Sequence, residues 1–199
     1  MPGHLAASIS PLRGLRRVPA LLLIVLAAAC ETAYKDGVPN ERSTMFEVPV
    51  DSRLVLHRSL EIAPGQRSAY LQRGRLLPWY HVNQYAPYCA LAVQAGQDVA
   101  QSVGPDEFVV RNVSQRFLFT LALRKPRLVH AAVDRDGNGM TYEVVATAMD
   151  LSSARQPEVR ALTCAHWALP QGRSYLTVQD IRRALGSYFT LELAAKAAG

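Results

Sequence analysis

The sequence has 199 residues, of which 49% are hydrophobic and 19% charged. This is enough chain for one domain with a substantial core, and no internal repeat or change of composition indicates a second. The formal net charge of +6 arises from 22 basic and 16 acidic residues, without the clustered basic face that nucleic-acid binding normally needs, so no nucleic-acid partner is predicted.

The first 29 residues have the layout of a secretory signal. Three arginines at positions 13, 16 and 17 precede an uncharged apolar run, residues 18–29, which ends in small residues. A membrane-spanning helix is the alternative, but it needs roughly 20 apolar residues, and Glu31 follows this shorter run almost at once. We therefore expect residues 1–29 to direct export and to be removed, which leaves 19 basic residues against 16 acidic ones.

Residues 26–30, Leu-Ala-Ala-Ala-Cys, resemble the lipobox of bacterial lipoproteins, in which small residues precede a cysteine that is acylated and becomes the first mature residue. Ala29 fits this pattern, whereas Ala27 stands where Leu is commonest. The resemblance implies that Cys30 carries lipid and holds the protein at a membrane. Each buried methylene contributes about 0.8 kcal/mol, so several acyl chains form a lasting anchor. An ordinary signal-peptide cut that leaves Cys30 as a thiol is the alternative.

The residue after the cysteine bears on localisation. In lipoproteins of Gram-negative cells an Asp at this position is the usual signal for retention in the inner membrane, and here the residue is Glu31. The resemblance therefore implies an outer-membrane protein that faces the periplasm. Residues 31–43 are polar, contain Gly37 and Pro39 and lack a sustained period, so we predict a flexible tether over residues 30–43 and a single folded domain over residues 44–199.

Apolar residues alternate with polar ones along much of the predicted domain. Leu54, Leu56, Leu60 and Ile62 share one face of such a run, and residues 89–93, 108–113 and 117–123 repeat the pattern, with Gly and Pro between the runs. A period of two indicates β-strands with one buried face.

One helix is well indicated, close to the C-terminus. Thr177 can cap it, Asp180 occupies the capping-box position, and Gly186 can end it. Residues 187–193 then form either a closing strand or a continuation of the helix. The predicted fold class is mainly β, an antiparallel sandwich or barrel-like sheet with one short C-terminal α-helix.

The segment 134–139, Asp-Arg-Asp-Gly-Asn-Gly, matches the first half of a calcium-binding loop, because Asp134, Asp136 and Asn138 supply oxygen ligands at the expected spacing. The bidentate Glu that completes such a loop is missing, since Val145 occupies its position. A β-hairpin turn is the favoured interpretation, because Gly and Asn tolerate positive φ angles. A weak calcium site on that turn is the alternative, and no other cofactor is predicted.

Cys89 and Cys164 remain once Cys30 is assigned to lipid. The periplasm oxidises thiols, so we predict a disulfide between them. The alternative is catalytic, because His166 lies two residues from Cys164 and would share a strand face with it, as a Cys-His nucleophile requires. Three arginines cluster around Tyr70 in the sequence: Arg67, Arg73 and Arg75. We interpret them as a solvated strand edge, and contact with anionic lipid or polysaccharide is the alternative.

Residues 70–74, 85–91, 104–110 and 180–186 look like segments of a family of uncharacterised proteobacterial lipoproteins. The resemblance covers roughly residues 53–193, implies a periplasmic lipoprotein and carries no catalytic residues. We predict a non-catalytic binding or scaffolding module with an envelope protein as partner. The alternatives are a calcium-dependent structural protein and an envelope hydrolase. A hydrolase should bring at least two of the histidines together beside carboxylates. The candidates are His57, His81, His130 and His166.

Overall fold

The computed structural model describes residues 34–35, 38–94, 98–119 and 142–195. The chain divides into two compact units, Met1–Glu31 and Thr32–Gly199, and every described residue lies in the second. The strands are β1 (Tyr34–Lys35), β2 (Val38–Pro39), β3 (Arg53–Leu56), β4 (Leu60–Ile62), β5 (Ser68–Gln72), β6 (Arg75–Leu77), β7 (Tyr88–Val93), β8 (Gln101–Val103), β9 (Asp106–Phe119), β10 (Glu143–Ser152), β11 (Val159–Ala168) and β12 (Phe189–Glu192). Helix α1 spans Val178–Leu185.

Eight strands form one antiparallel sheet that curls, in the order β12-β3-β9-β10-β11-β7-β5-β6. Two short antiparallel pairs, β1 with β2 and β4 with β8, accompany it. The predicted fold class, mainly β with one short C-terminal helix, is confirmed. The runs 108–113 and 117–119 belong to one long strand, β9, which continues through a register shift opposite Asp150 and Leu151.

The two faces of the sheet carry different side chains. One face packs against α1 and holds the main core, to which β10 and β11 contribute Met149, Leu162 and Cys164. The opposite face carries a smaller cluster that includes Tyr88, Val144, Ala165 and Trp167. Successive side chains of a strand point to opposite faces, so each central strand serves both clusters.

Helix α1 has the predicted boundaries. The Thr177 hydroxyl accepts a hydrogen bond from the Asp180 N–H at 3.1 Å, and the Asp180 carboxylate accepts one from the Thr177 N–H at 3.3 Å. This capping box satisfies N–H groups that the first turn leaves unpaired. Val178, Ile181, Ala184 and Leu185 are buried against the sheet. Residues 187–193 include β12, so the closing-strand alternative is the one that the structure adopts.

Residues 40–43, which the sequence placed in the tether, contact the helix. The Gln179 N–H donates to the Glu41 carbonyl at 3.3 Å, and the Arg182 guanidinium forms an ion pair with the Glu41 carboxylate. Ser43 is fully buried. Strands β1 and β2 also fall within the predicted tether.

Cys89 and Cys164 are directly opposed on β7 and β11, and both are fully buried. Their sulfur atoms are 2.09 Å apart, joined as a disulfide. The predicted pairing is therefore present, and it links two central strands within the main core.

Candidate functional site

Seven aromatic side chains gather on and beside the sheet face opposite α1, and we call them the aromatic patch. They come from β5, from the loop between β6 and β7, from the ends of β7 and β11, and from the residue that precedes β10: Tyr70, Trp79, Tyr80, Tyr85, Tyr88, Trp167 and Tyr142. Most belong to the cluster on that face or pack against it.

The rings contact one another in two groups. At one end, the Trp79 ring centroid lies 5.0 Å from that of Tyr70 and 5.8 Å from that of Tyr88. At the other end, the Tyr85 ring lies 5.1 Å from Tyr142 and 5.9 Å from Trp167. These are the tilted and edge-to-face arrangements that aromatic pairs prefer, so each ring holds its neighbours in place.

The loop between β6 and β7 is held by a buried amide. Gln72, which is 6% exposed, donates through Nε2 to the Asn83 carbonyl at 2.7 Å and accepts the Asn83 N–H at 3.0 Å. The Trp167 N–H donates to the Gln84 carbonyl at 2.7 Å and ties the loop to β11. The loop that presents Trp79, Tyr80 and Tyr85 is therefore positioned from both of its sides.

Large parts of the patch remain exposed. Trp79 is 40% exposed, Tyr80 79% and Tyr85 53%. Tyr88 is buried against Trp79, and burial together with the neighbouring Tyr70 raises its pKa to about 12. Burial also raises the pKa of Tyr70. Exposed Trp and Tyr on a rigid base are typical of binding surfaces.

A pocket of about 200 Å³ opens at the Trp79 end of the patch. Its wall combines the end of β4, the segment that leads into β5, and residues 78–80. Among the residues that line it are three aromatic and three polar ones: Tyr70, Trp79, Tyr80, Glu61, Gln66 and Ser68.

The sequence predicted none of this patch as a site. The signal was the run Pro78-Trp79-Tyr80-His81 between two strands, where aromatic residues stand in a loop rather than on a core face. In the sequence, Tyr70 lies within a cluster of arginines and within a segment that resembles the lipoprotein family, and neither indicates an aromatic site. Arg67, Arg73 and Arg75 are exposed around the β5–β6 hairpin, as a solvated strand edge requires.

The described histidines lie on different elements. His57 follows β3 and its Nε2 is 2.7 Å from the Thr190 hydroxyl, and the His81 ring packs on Tyr80. His166 lies on β11, where burial lowers its pKa and the Asp180 carboxylate acts in the opposite direction. Within the residues that the structure describes, no histidine forms an ion pair with a carboxylate. His130 lies outside them.

Cys164 and His166 do share a strand face, as the catalytic alternative required. The Cys164 sulfur is bonded to Cys89 and is fully buried, however, so it is not available as a nucleophile in this structure. Next to this pair, the Thr147 hydroxyl and the His166 Nδ1 are buried without a hydrogen-bond partner among the described residues.

Cys30 and the calcium-loop residues Asp134, Asp136 and Asn138 lie outside the described residues. Across the ranges given above, no group of three metal-ligating side chains occurs. None of the helices in these ranges has the length and hydropathy needed to cross a membrane.

The fold and the patch define a disulfide-linked antiparallel β domain with one helix on one face of its curled sheet and clustered aromatic rings on the other. Comparisons with protein-family models, with curated proteins and with solved structures found no match to this chain.

Proposed function

We propose that the protein is a lipid-anchored envelope protein whose domain acts as a non-catalytic binding or scaffolding module in the periplasm. The observation that carries the proposal is the aromatic patch, because the solvent-exposed rings of Trp79 and Tyr85 each pack against two other rings of the patch, and exposed Tyr80 follows Trp79 in the same loop. Trp and Tyr contribute disproportionately to the affinity of protein interfaces, and they do so most when they are held rigidly before binding.

The arrangement of polar groups supports binding over hydrolysis. A hydrolase needs an activated nucleophile, a base and an orienting group within hydrogen-bond reach of one another. The described histidines lie on separate elements, and Cys164 is bonded to Cys89. The patch, in contrast, offers contact area, and its Tyr and Trp side chains are uncharged at neutral pH.

The anchor in this proposal is lipid on Cys30, at the outer membrane and facing the periplasm. Cys30→Ser should release the processed protein from membranes, because the remaining chain has no second long apolar run. Fractionation of cells that express either form measures this. Retention of the processed serine variant in the membrane pellet would contradict lipid anchoring.

Site-specific photocrosslinking in intact cells tests the binding role. A photoreactive residue at Tyr85 should give an adduct with one defined envelope protein, and Trp167→Ala should weaken that adduct, because the two rings pack together. The same photoreactive residue at Met45 is the matched control. Met45 is 70% exposed and neighbours Phe46, which belongs to the core on the α1 side of the sheet.

The result expected is an adduct from Tyr85 that is absent from Met45. No adduct from Tyr85, or the same adducts from both positions, would overturn the proposal that the patch is the binding surface.

A further inference from the structure

The residues that line the pocket at the Trp79 end of the patch restrict the chemical class of ligand that it can bind. Three aromatic rings, Tyr70, Trp79 and Tyr80, form apolar walls, and Glu61, Gln66 and Ser68 supply polar groups. At about 200 Å³ it is smaller than the pockets that enclose drug-sized molecules, which span roughly 300–1,000 Å³. It therefore fits one ring of a larger ligand, with the rest of that ligand outside.

The charge of the lining excludes an anion as the preferred occupant. Glu61 is the one ionisable carboxylate among the lining residues, and no Lys or Arg is among them, all of which the structure describes. A phosphate or carboxylate group inside the pocket would meet Glu61 with no basic partner beside it. Removal of water from unpaired like charges is strongly unfavourable.

The polar groups suit hydroxyls. The Gln66 amide and the Ser68 hydroxyl each donate and accept hydrogen bonds, and the Glu61 carboxylate accepts them. A hydroxyl likewise donates and accepts. A ligand with several hydroxyls around an apolar face can satisfy all three side chains while that face lies on an aromatic ring.

The Trp79 ring is prepared for stacking. It lies between Tyr70 at 5.0 Å and Tyr88 at 5.8 Å, it follows Pro78 in a short 3₁₀ helix, and it keeps 40% of its surface exposed. The face of an aromatic ring carries partial negative charge. The weakly positive C–H groups on the flat side of a sugar ring complement that charge.

From these features we propose that the pocket between Glu61, Trp79 and Tyr80 binds one uncharged sugar ring of an envelope glycan. The inference rests on the proposed binding role and specifies the ligand of one end of the patch. Trp79 and Tyr80 provide the stacking surface, and Glu61, Gln66 and Ser68 bind hydroxyl groups. The Tyr85 end of the patch remains the surface for the protein partner.

A quaternary ammonium group is the competing ligand, because aromatic cages with a carboxylate bind such cations. The ring contacts favour the sugar. The rings of Tyr70 and Trp79 are tilted against each other, and Tyr80 meets His81 edge to face at 4.4 Å. Each of the three rings therefore packs against a neighbouring ring, so part of its surface is not free to enclose a cation.

Titration of the purified full-length mature protein in detergent tests the proposal. The probes are an oligomer of N-acetylhexosamine, tetramethylammonium and inorganic phosphate, and the readout is calorimetry with tryptophan fluorescence. Trp167→Phe leaves Trp79 as the single tryptophan of the two in the sequence, so its fluorescence then reports on the pocket alone. The oligomer should bind saturably and should change that fluorescence.

Variants locate the binding. Trp79→Ala should lower the affinity for the oligomer by about tenfold or more. Trp79→Phe keeps an aromatic face and should lower that affinity less. Glu61→Gln should reduce affinity severalfold. Met45→Ala is the control, since Met45 is 70% exposed and neighbours Phe46 in the core on the α1 side, and it should leave sugar binding unchanged. Circular dichroism checks that each variant folds.

Two results would overturn the proposal: no saturable binding of the oligomer to the folded wild-type protein, or tighter binding of tetramethylammonium that Trp79→Ala removes. Neither result bears on the crosslink from Tyr85, which probes the other end of the patch. Failure of the sugar proposal is therefore distinguishable from failure of the proposed binding role. If the oligomer binds, cosedimentation with purified cell-wall sacculi and with lipopolysaccharide vesicles identifies which glycan supplies the ring.

Discussion

Gly186 lies so close to Gly74 that a Cβ atom on Gly186 would stand 2.2 Å from the Gly74 Cα. The contact joins the end of α1 to the turn between β5 and β6, and the Gly74 N–H donates to the Ala184 carbonyl at 3.0 Å. Both glycines have positive φ angles, 57° for Gly186 and 71° for Gly74. This contact fixes the helix against the hairpin whose strand β5 carries Tyr70.

Gly186→Ala should therefore destabilise the domain by several kcal/mol, on the order of 2–4, because it adds a backbone clash to an unfavourable φ angle. Chemical denaturation measures the change. Gly104→Ala is the matched control, since a Cβ there meets nothing within 4 Å, and its effect should stay within about 0.5 kcal/mol. Equal effects from the two variants would contradict the close contact.

The disulfide should contribute strongly to stability. With a sequence separation of 75, loop closure by the bond between Cys89 and Cys164 gives about 4 kcal/mol in the chain-entropy model. Reduction of the wild type should lower the free energy of unfolding by a comparable amount, measured by chemical denaturation with and without reductant. The double variant Cys89→Ala/Cys164→Ala is the control and should not respond to reductant. Alkylation of either cysteine in the native, oxidised protein, seen by mass spectrometry, would exclude the bond.

Asp106 should make the free energy of unfolding depend on pH in the acidic range. It is 5% exposed, and burial alone would raise its pKa, but hydrogen bonds from Ser153, Gln156, the Glu107 N–H and Arg155 outweigh burial and lower the pKa to about 2. Between the ordinary pKa of 3.8 and this value the unfolded chain binds more protons than the folded one. The stabilisation is therefore complete above the ordinary value and is lost as the pH falls toward about 2.

Asp106→Asn tests this dependence. The variant should be less stable near neutral pH by about 1.5–3 kcal/mol, the range for hydrogen bonds to a charged group, and should lose less stability than the wild type on acidification. Denaturation curves at several pH values measure both effects. Glu158→Gln, at an exposed position near the same loop, is the control. Identical acid profiles for the wild type and Asp106→Asn would rule out this role of Asp106.

Calcium should be dispensable for folding. The loop at Asp134, Asp136 and Asn138 has Val145 where a calcium loop needs its bidentate Glu, and a hairpin turn needs no metal. A chelator should leave the melting temperature nearly unchanged, measured by circular dichroism. A large drop that calcium reverses and that Asp134→Ala abolishes would instead establish a calcium site.

The sequence by itself determined the local elements of this protein. Apolar Leu54 and Leu56, two positions apart, indicate a strand with one buried face. Thr177 and Asp180 specify the start of α1, because a capping box involves only residues three apart. The cysteine pairing also followed from sequence, since the expected lipidation of Cys30 leaves two cysteines, and the expected export would bring them to an oxidising compartment.

The order of the strands and the aromatic patch were decided only by the tertiary structure. Trp79 comes from a loop, Tyr70 from β5 and Trp167 from β11, and the ring contact between Tyr85 and Trp167 joins residues 82 positions apart in the sequence. No short-range pattern encodes such contacts, because they depend on which strands become neighbours in the sheet. The same holds for Gly74 and Gly186, whose need for glycine arises from a close approach between two distant segments.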